Sequence, residues 1–575
     1  MINTTDTPDT PKREFLPQLL KVNSWEDIKP FFDNLLDRKL STEEELRKWF
    51  KDRSELEAVV SEDLGWRYIR MTTDTANEKF VDDYRNFVQN IQPHIAPYSD
   101  KLNKKAIENE FLEGVEKEKA YHILTRAMRE SIKIFREENI PLQTEAQTKS
   151  QEYGTVTGAM TIELDGKELT LQQAGDFLLS PDRELREDVY RKIADRRLED
   201  KAKLDSIFSD LVSLRNQMGQ NSGFDNYRDY MFSAMGRFDY TVEDCYAFHE
   251  SVAQEVVPLL NDMAERRKQS LGVDSLRPWD KSVDPEGKKP LKPFEGGEEL
   301  LEKTIQVFNR LDTYLGDCLI KMREMGHLDL ESRKGKAPGG YNYPLSETGV
   351  PFIFMNATTK LRDMVTLLHE GGHAVHSFLA NDLELTDFKH TPSEVAELAS
   401  MSMELITMDH WDIFFSDEEE LKRAKKEHLE QIIQTLPWVA TIDKFQHWIY
   451  ENPNHTVEER DAEWVKIFSQ FADSLTDWSG LEHYRENLWQ RQLHLYEVPF
   501  YYIEYGMAQL GAVAVWKRFK EDNKAGLEGY KNALKLGYTK TIPEIYEAAG
   551  ISFDFSSDYI KELMSFVNDE LNKIV

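Results

Sequence analysis

Cysteine is scarce in this chain: 575 residues include two, Cys245 and Cys318. Two thiols cannot build a disulfide framework. They suit a reducing compartment, and both read as small buried side chains. No Cys-x-x-Cys pair occurs, which on this reading excludes a thiolate zinc site. Positive charge is also in deficit, with 72 Lys and Arg against 104 Asp and Glu, a formal net charge of −32. Such a field repels polyanions. It excludes a nucleic-acid partner and disfavours an anionic membrane surface. Long apolar runs are missing too: the longest, Gly506 to Trp516, is too short to span a bilayer. The first eleven residues have neither a basic segment nor an apolar core, so no secretory leader is expected and the predicted location is cytoplasmic.

What is present is a large reserve of core-forming residues, 40% hydrophobic with 11% aromatic. Most of the chain carries helical periodicity. Residues 42–60 are representative: Ser41 or Thr42 can cap, acids fill the first turn, and Leu46, Trp49, Phe50, Leu56, Val59 and Val60 share a face. Strand signals are few. Met160 to Leu171 alternates around Asp165-Gly166, a hairpin turn dipeptide, and Pro351 to Met355 is a short apolar run. A proline-rich break at 273–298 reads as an ordered excursion or linker. The predicted class is mainly α with a little β.

The chemistry concentrates in His369-Glu370-Gly371-Gly372-His373-Ala-Val-His376. On a helix, i and i+4 share a face with Cβ atoms about 6 Å apart. Two imidazoles so placed can grip one Zn²⁺, with Glu370 beside the attacking water. Leu367, Leu368, Ala374, Val375, Phe378 and Leu379 flank the motif, so the helix is buried, where unpartnered imidazoles and a carboxylate would be costly. Two mid-helix glycines cost about 1 kcal/mol each relative to Ala, which points to close approach of another backbone or of substrate. A third ligand is needed. Position 376 is His and 379 is Leu, so the HExxHxxGxxH pattern fails. A downstream carboxylate is the alternative, Glu394 or Glu397 on the next capped helix. Spacing slightly favours Glu397, with Glu404 two turns on as support for an imidazole.

This motif, followed by Ala396-Glu397-Leu-Ala-Ser400-Met-Ser-Met-Glu404, resembles the M3 family of zinc oligopeptidases, the thimet oligopeptidase and oligoendopeptidase F group. The resemblance implies one Zn²⁺ per chain held by His369, His373 and Glu397, with Glu404 and His376 in support and Glu370 as general base. It also implies a zincin-type helical fold: two helical halves around a deep substrate channel, with a small β element beside the zinc helix. Gly371 departs from the family, where a bulky apolar residue is common. The related dipeptidyl carboxypeptidases use nearly the same ligand spacing.

Farther on stand His494, Tyr496, Tyr501, Tyr502 and Tyr505. Tyr502 and Tyr505 share a helical face, as do Tyr501 and Tyr505. Alone, such a cluster is core. In a zinc peptidase, phenol and imidazole donors stabilise the oxyanion. The resemblance matches His494 and Tyr505, and leaves their partner as Tyr502 or Tyr501. Gly339, Gly340 and Tyr341, followed by the strand containing Phe354, resemble the family's substrate-side loop and strand, and such a strand can pair with an extended peptide. The expected organisation is an N-terminal helical region over 1–200 and a catalytic region over 201–575. The expected activity is hydrolysis of internal bonds in short unfolded peptides. The alternatives are a dipeptidyl carboxypeptidase, a non-catalytic peptide-binding relative and a di-iron carboxylate protein using Glu370/His373 with Glu324/His327.

Overall fold

The computed structural model describes residues 12–574; residues 1–11, expected to carry no leader, and Val575 lie outside them. Helices dominate, with two small sheets, as predicted. The chain forms two compact units. Unit 1 takes the chain up to Lys133, then Leu291–Lys425 and Ala508–Phe553; unit 2 takes Ile134–Pro290, Lys426–Met507 and the chain from Asp554 on. The expected boundary at residue 200 falls inside unit 2.

In unit 1, the helix Glu43–Thr73 starts at Thr42, whose hydroxyl accepts the Glu45 N–H at 3.1 Å. Leu46, Trp49, Phe50 and Leu56 pack against Trp25, Ile28, Phe32 and Leu35 of the helix Trp25–Asp37. The helix outruns its predicted end at residue 60, because tertiary partners satisfy the polar residues that follow. Glu62 accepts the N–H groups of Glu347 and Thr348 at 2.9 and 2.7 Å. Trp66 packs on Phe352, Phe354 and Leu345.

Those phenylalanines belong to the three-stranded sheet, ordered β3 (Leu328–Glu331), β5 (Phe352–Ala357), β4 (Tyr341–Tyr343). β5 lies between a parallel and an antiparallel neighbour. Both its faces are covered, which is why it reads as an unbroken apolar run.

Unit 2 carries the predicted hairpin, β1 (Thr161–Leu164) and β2 (Lys167–Thr170). Its turn residues Asp165 and Gly166 have φ of 52° and 73°, as a two-residue hairpin turn requires. The proline-rich stretch is ordered around Asp280. This fully buried carboxylate accepts from Arg183 and Arg186, both at 2.8 Å, and from the Arg277 N–H at 2.9 Å.

No helix among the described residues is long and apolar enough to cross a membrane.

Candidate metal centre

Two packed helices of unit 1 build the centre, Leu361–Ala380 and Ser393–Ile406. The first begins where Asp363 accepts the N–H groups of Thr358 and Lys360 at 2.8 and 3.1 Å. The second begins after Pro392, which caps it rather than filling its first turn. Gly372 explains how closely the helices meet. A Cβ on Gly372 would lie 2.7 Å from Ser400 Cα and 2.8 Å from the Ala399 carbonyl oxygen. On Gly371 it would lie 2.7 Å from Phe308 Cζ. The expected close approach is thus to a backbone at Gly372 and to an aromatic edge at Gly371.

This approach sets Glu397 Oε2 3.3 Å from His369 Nε2 and 3.7 Å from His373 Nε2. Donor atoms of the three residues lie within 4.8 Å of one another, and Glu394 is not in that group. Glu394 is buried, and its backbone carbonyl accepts from the Tyr546 hydroxyl at 3.0 Å. Ser400 Oγ donates to Glu397 Oε2 at 3.0 Å, and Glu404 Oε1 lies 2.6 Å from His369 Nδ1. His376 sits one turn beyond His373, buried, its Nε2 without a hydrogen-bond partner.

The electrostatics suit a cation. Burial pushes the Glu397 carboxyl up, but its hydrogen bond to His369 and the charge of both imidazoles outweigh this and pull it down to about 2. Burial opposes protonation of His369, yet the carboxylates of Glu397 and Glu404 raise it well above the usual imidazole value. Burial lowers His373 to about 4 and His376 to about 3. The pocket therefore favours positive charge at His369, between two carboxylates. A divalent ion fits there by donor set and spacing. Burial also lifts the Glu370 carboxyl to about 7, opposed by His369 and reinforced by Glu397 and Glu404.

The second Glu-x-x-His pair does not form a comparable group. Glu324 ends the helix Thr313–Glu324, and His327 lies beyond it with Nδ1 3.0 Å from the Val350 carbonyl.

The aromatic cluster of unit 2 is assembled as spaced. His494 has ring-centroid distances of 4.9 Å to Tyr502, 6.0 Å to Tyr505 and 6.3 Å to Tyr501. The Trp438 indole N–H donates to Gln492 Oε1 at 3.1 Å, which directs the Gln492 amide nitrogen to His494 Nδ1 at 2.7 Å. An amide nitrogen only donates, so Nδ1 accepts and His494 carries its proton on Nε2, ready to donate. Burial lowers its pKa and keeps the ring neutral.

The model described as "Peptidase family M3" matches residues 177–565, more than half of the chain. The chain belongs to peptidase family M3. The model of the M3 N-terminal domain matches residues 17–135. Among relatives, the oligoendopeptidase F homolog of Borreliella burgdorferi is 28% identical over 298 residues, 50% of this chain and 48% of that one. Oligopeptidase PepF of Bacillus subtilis is 22% identical over 433 residues, 69% and 60% of the two chains. The chain thus spans roughly half to three-fifths of the length of these two relatives. Among solved structures, PZ peptidase A with an inhibitor superposes with a TM-score of 0.88 at 28% identity, covering 95% of this chain and 97% of that one. Oligoendopeptidase F from Enterococcus faecium, at 16% identity and a TM-score of 0.65 over 96% and 97% of the two chains, shares the fold.

In this M3 chain the expectation for Phe354 needs correction. Phe354 faces Asp329 of β3 on one side and Tyr341 of β4 on the other, so both backbone edges of β5 are occupied. Its ring is fully buried, stacked on Tyr341 with centroids 4.8 Å apart. The edge strands of this sheet are β3 and β4. The loop before β4 is exposed at Gly339 and Gly340, and the Asn356 amide tethers it by donating to the Ala337 and Gly339 carbonyls at 2.8 Å each.

The motifs also left out the residues that support the tyrosines. Phe500 is fully buried with φ of 69°, a conformation a bulky residue adopts only when held. Its N–H donates to Gln446 Oε1 at 2.6 Å, and Arg237, paired with buried Glu504 at 2.9 Å, donates to its carbonyl. No local pattern signals a strained phenylalanine. Only the long-range partners reveal it.

Proposed function

We propose that this M3 chain is a zinc-dependent oligopeptidase that hydrolyses internal bonds of short unfolded peptides. The observation that carries the reading is the convergence of His369, His373 and Glu397 on one point, with the buried Glu370 on the same helix. The relative named oligoendopeptidase F homolog supports the endopeptidase mode. One Zn²⁺ bound by these three residues would polarise the scissile carbonyl and make the attacking water more acidic. Glu370 takes the proton from that water and returns it to the leaving amine. On the family resemblance, we assign hydrogen-bond donation to the oxyanion to Tyr505, Tyr502 and His494. The test is Glu370→Gln. The variant should bind zinc as the parent does and lose nearly all turnover of a fluorogenic peptide, whereas near-parental turnover would overturn the role.

A further inference from the structure

Unit 2 holds another group of metal-type donors. The helix Val242–Glu255 carries Cys245 and His249 one turn apart, and the helix Glu418–Glu451 carries Asp443 and His447 one turn apart. Cys245 and Asp443 are fully buried, and His249 and His447 are each 1% exposed. Donor atoms of Cys245, Asp443 and His447 lie within 4.8 Å of one another. Zinc bonds of about 2.0–2.3 Å place tetrahedral donors about 3.3–3.8 Å apart, so the donors need close by no more than about 1–1.5 Å.

The hydrogen bonding leaves this group incomplete. His249 Nε2 bonds Asp443 Oδ2 at 2.8 Å. Asp443 Oδ1 has no hydrogen-bond partner, and neither has either ring nitrogen of His447. His447 Nε2 comes within 3.2 Å of Asp443 Oδ2 without making a hydrogen bond. A proton on one imidazole would balance the carboxylate charge but leave Oδ1 and a His447 nitrogen unsatisfied in a dry site. A divalent cation on the Cys245 thiolate, Asp443 Oδ1 and a His447 nitrogen balances both negative charges and uses those atoms.

We propose that Cys245, Asp443 and His447 form a second, structural zinc site in unit 2, with His249 orienting Asp443 through Oδ2. Sulfur, imidazole and carboxylate donors together favour Zn²⁺ over Mg²⁺ or Ca²⁺. Loading releases the Cys245 thiol proton to solvent. This site departs from the expectation drawn from the lack of a Cys-x-x-Cys pair: a single thiolate, Cys245, joins Asp443 and His447, which stand at the i, i+4 spacing of His369 and His373. The site also underlies the tyrosine cluster: the His447 ring packs on Phe500 at 5.4 Å, and the neighbouring Gln446 accepts the Phe500 N–H.

The test separates the two sites by sulfur. The full-length chain, reconstituted with zinc, should hold two equivalents, and Glu397→Ala should hold one. Cobalt-loaded Glu397→Ala should show a thiolate-to-cobalt charge-transfer band, which the His369, His373, Glu397 set cannot produce. Cys318→Ser should keep the band and Cys245→Ser should lose it. One equivalent in the parent chain with no thiolate band would overturn the proposal, even if Cys245→Ser fails to fold. Catalytic activity does not enter the measurement.

Discussion

Glu404 Oε1 lies 2.6 Å from His369 Nδ1, while Glu397 Oε2 lies 3.3 Å from Nε2 of the same ring. One carboxylate therefore fixes the ring and its tautomer, and the other shares the pocket into which the opposite nitrogen points. With the Nδ1 proton directed at Glu404, the Nε2 lone pair is available to a metal.

Glu404→Ala should weaken zinc binding at this site about 10- to 100-fold, read by competition with a chromophoric chelator. It should also change the proton balance. Glu404 helps raise the His369 pKa, so the metal-free ring keeps a second proton, on Nε2, to higher pH, and zinc must displace that proton wherever it is bound. Apparent affinity then rises with pH, by up to about tenfold per unit below the His369 pKa. Calorimetry in buffers of different ionisation heat should find less proton release in Glu404→Ala than in the parent chain. Equal release would contradict the arrangement.

Gly372→Ala should damage the centre more than Gly371→Ala. The first places a methyl against the backbone of Ser400 and Ala399, which can yield only if the Glu397 helix moves. The second meets the edge of Phe308, a side chain able to shift. Overpacking of this kind costs about 1–3 kcal/mol. Gly372→Ala should therefore lower both unfolding stability and zinc content, measured by urea denaturation and elemental analysis. Zinc content unchanged in Gly372→Ala would show that the close approach does not set the pocket.

Much of the centre is legible in the sequence because helical spacing alone puts His369 and His373 on one face. Spacing favours Glu397 over Glu394 only slightly, since both fall on one face; the resemblance points to Glu397, and tertiary packing brings its carboxylate to the two imidazoles. The helix past Val60 was read too short because Glu62 and Trp66 gain partners from loops far along the chain. Phe354 was misassigned for a related reason. An apolar run signals a strand but does not say whether its edges are free. Residues 17–135 carry no chemical motif, and their kinship appeared only through the match to the M3 N-terminal domain.

Tyr505→Phe should lower kcat about 10²- to 10³-fold with little change in KM, the size expected for loss of an oxyanion donor. Tyr502→Phe should follow it, because Tyr502 lies nearer His494 than Tyr501 does, with centroids 4.9 Å apart against 6.3 Å. Tyr501→Phe should have a small effect. Steady-state kinetics on one peptide decides this, and a Tyr501→Phe loss matching that of Tyr505→Phe would reverse the assignment.

The central claim, metal-dependent cleavage of short peptides, is tested most directly on a mixed peptide library read by mass spectrometry, with and without a chelator. Internal cuts that vanish with chelator, return with added zinc and are missing with Glu370→Gln are the predicted result. Cleavage that persists in the metal-free chain, or a library left intact by the zinc-loaded chain, would contradict it.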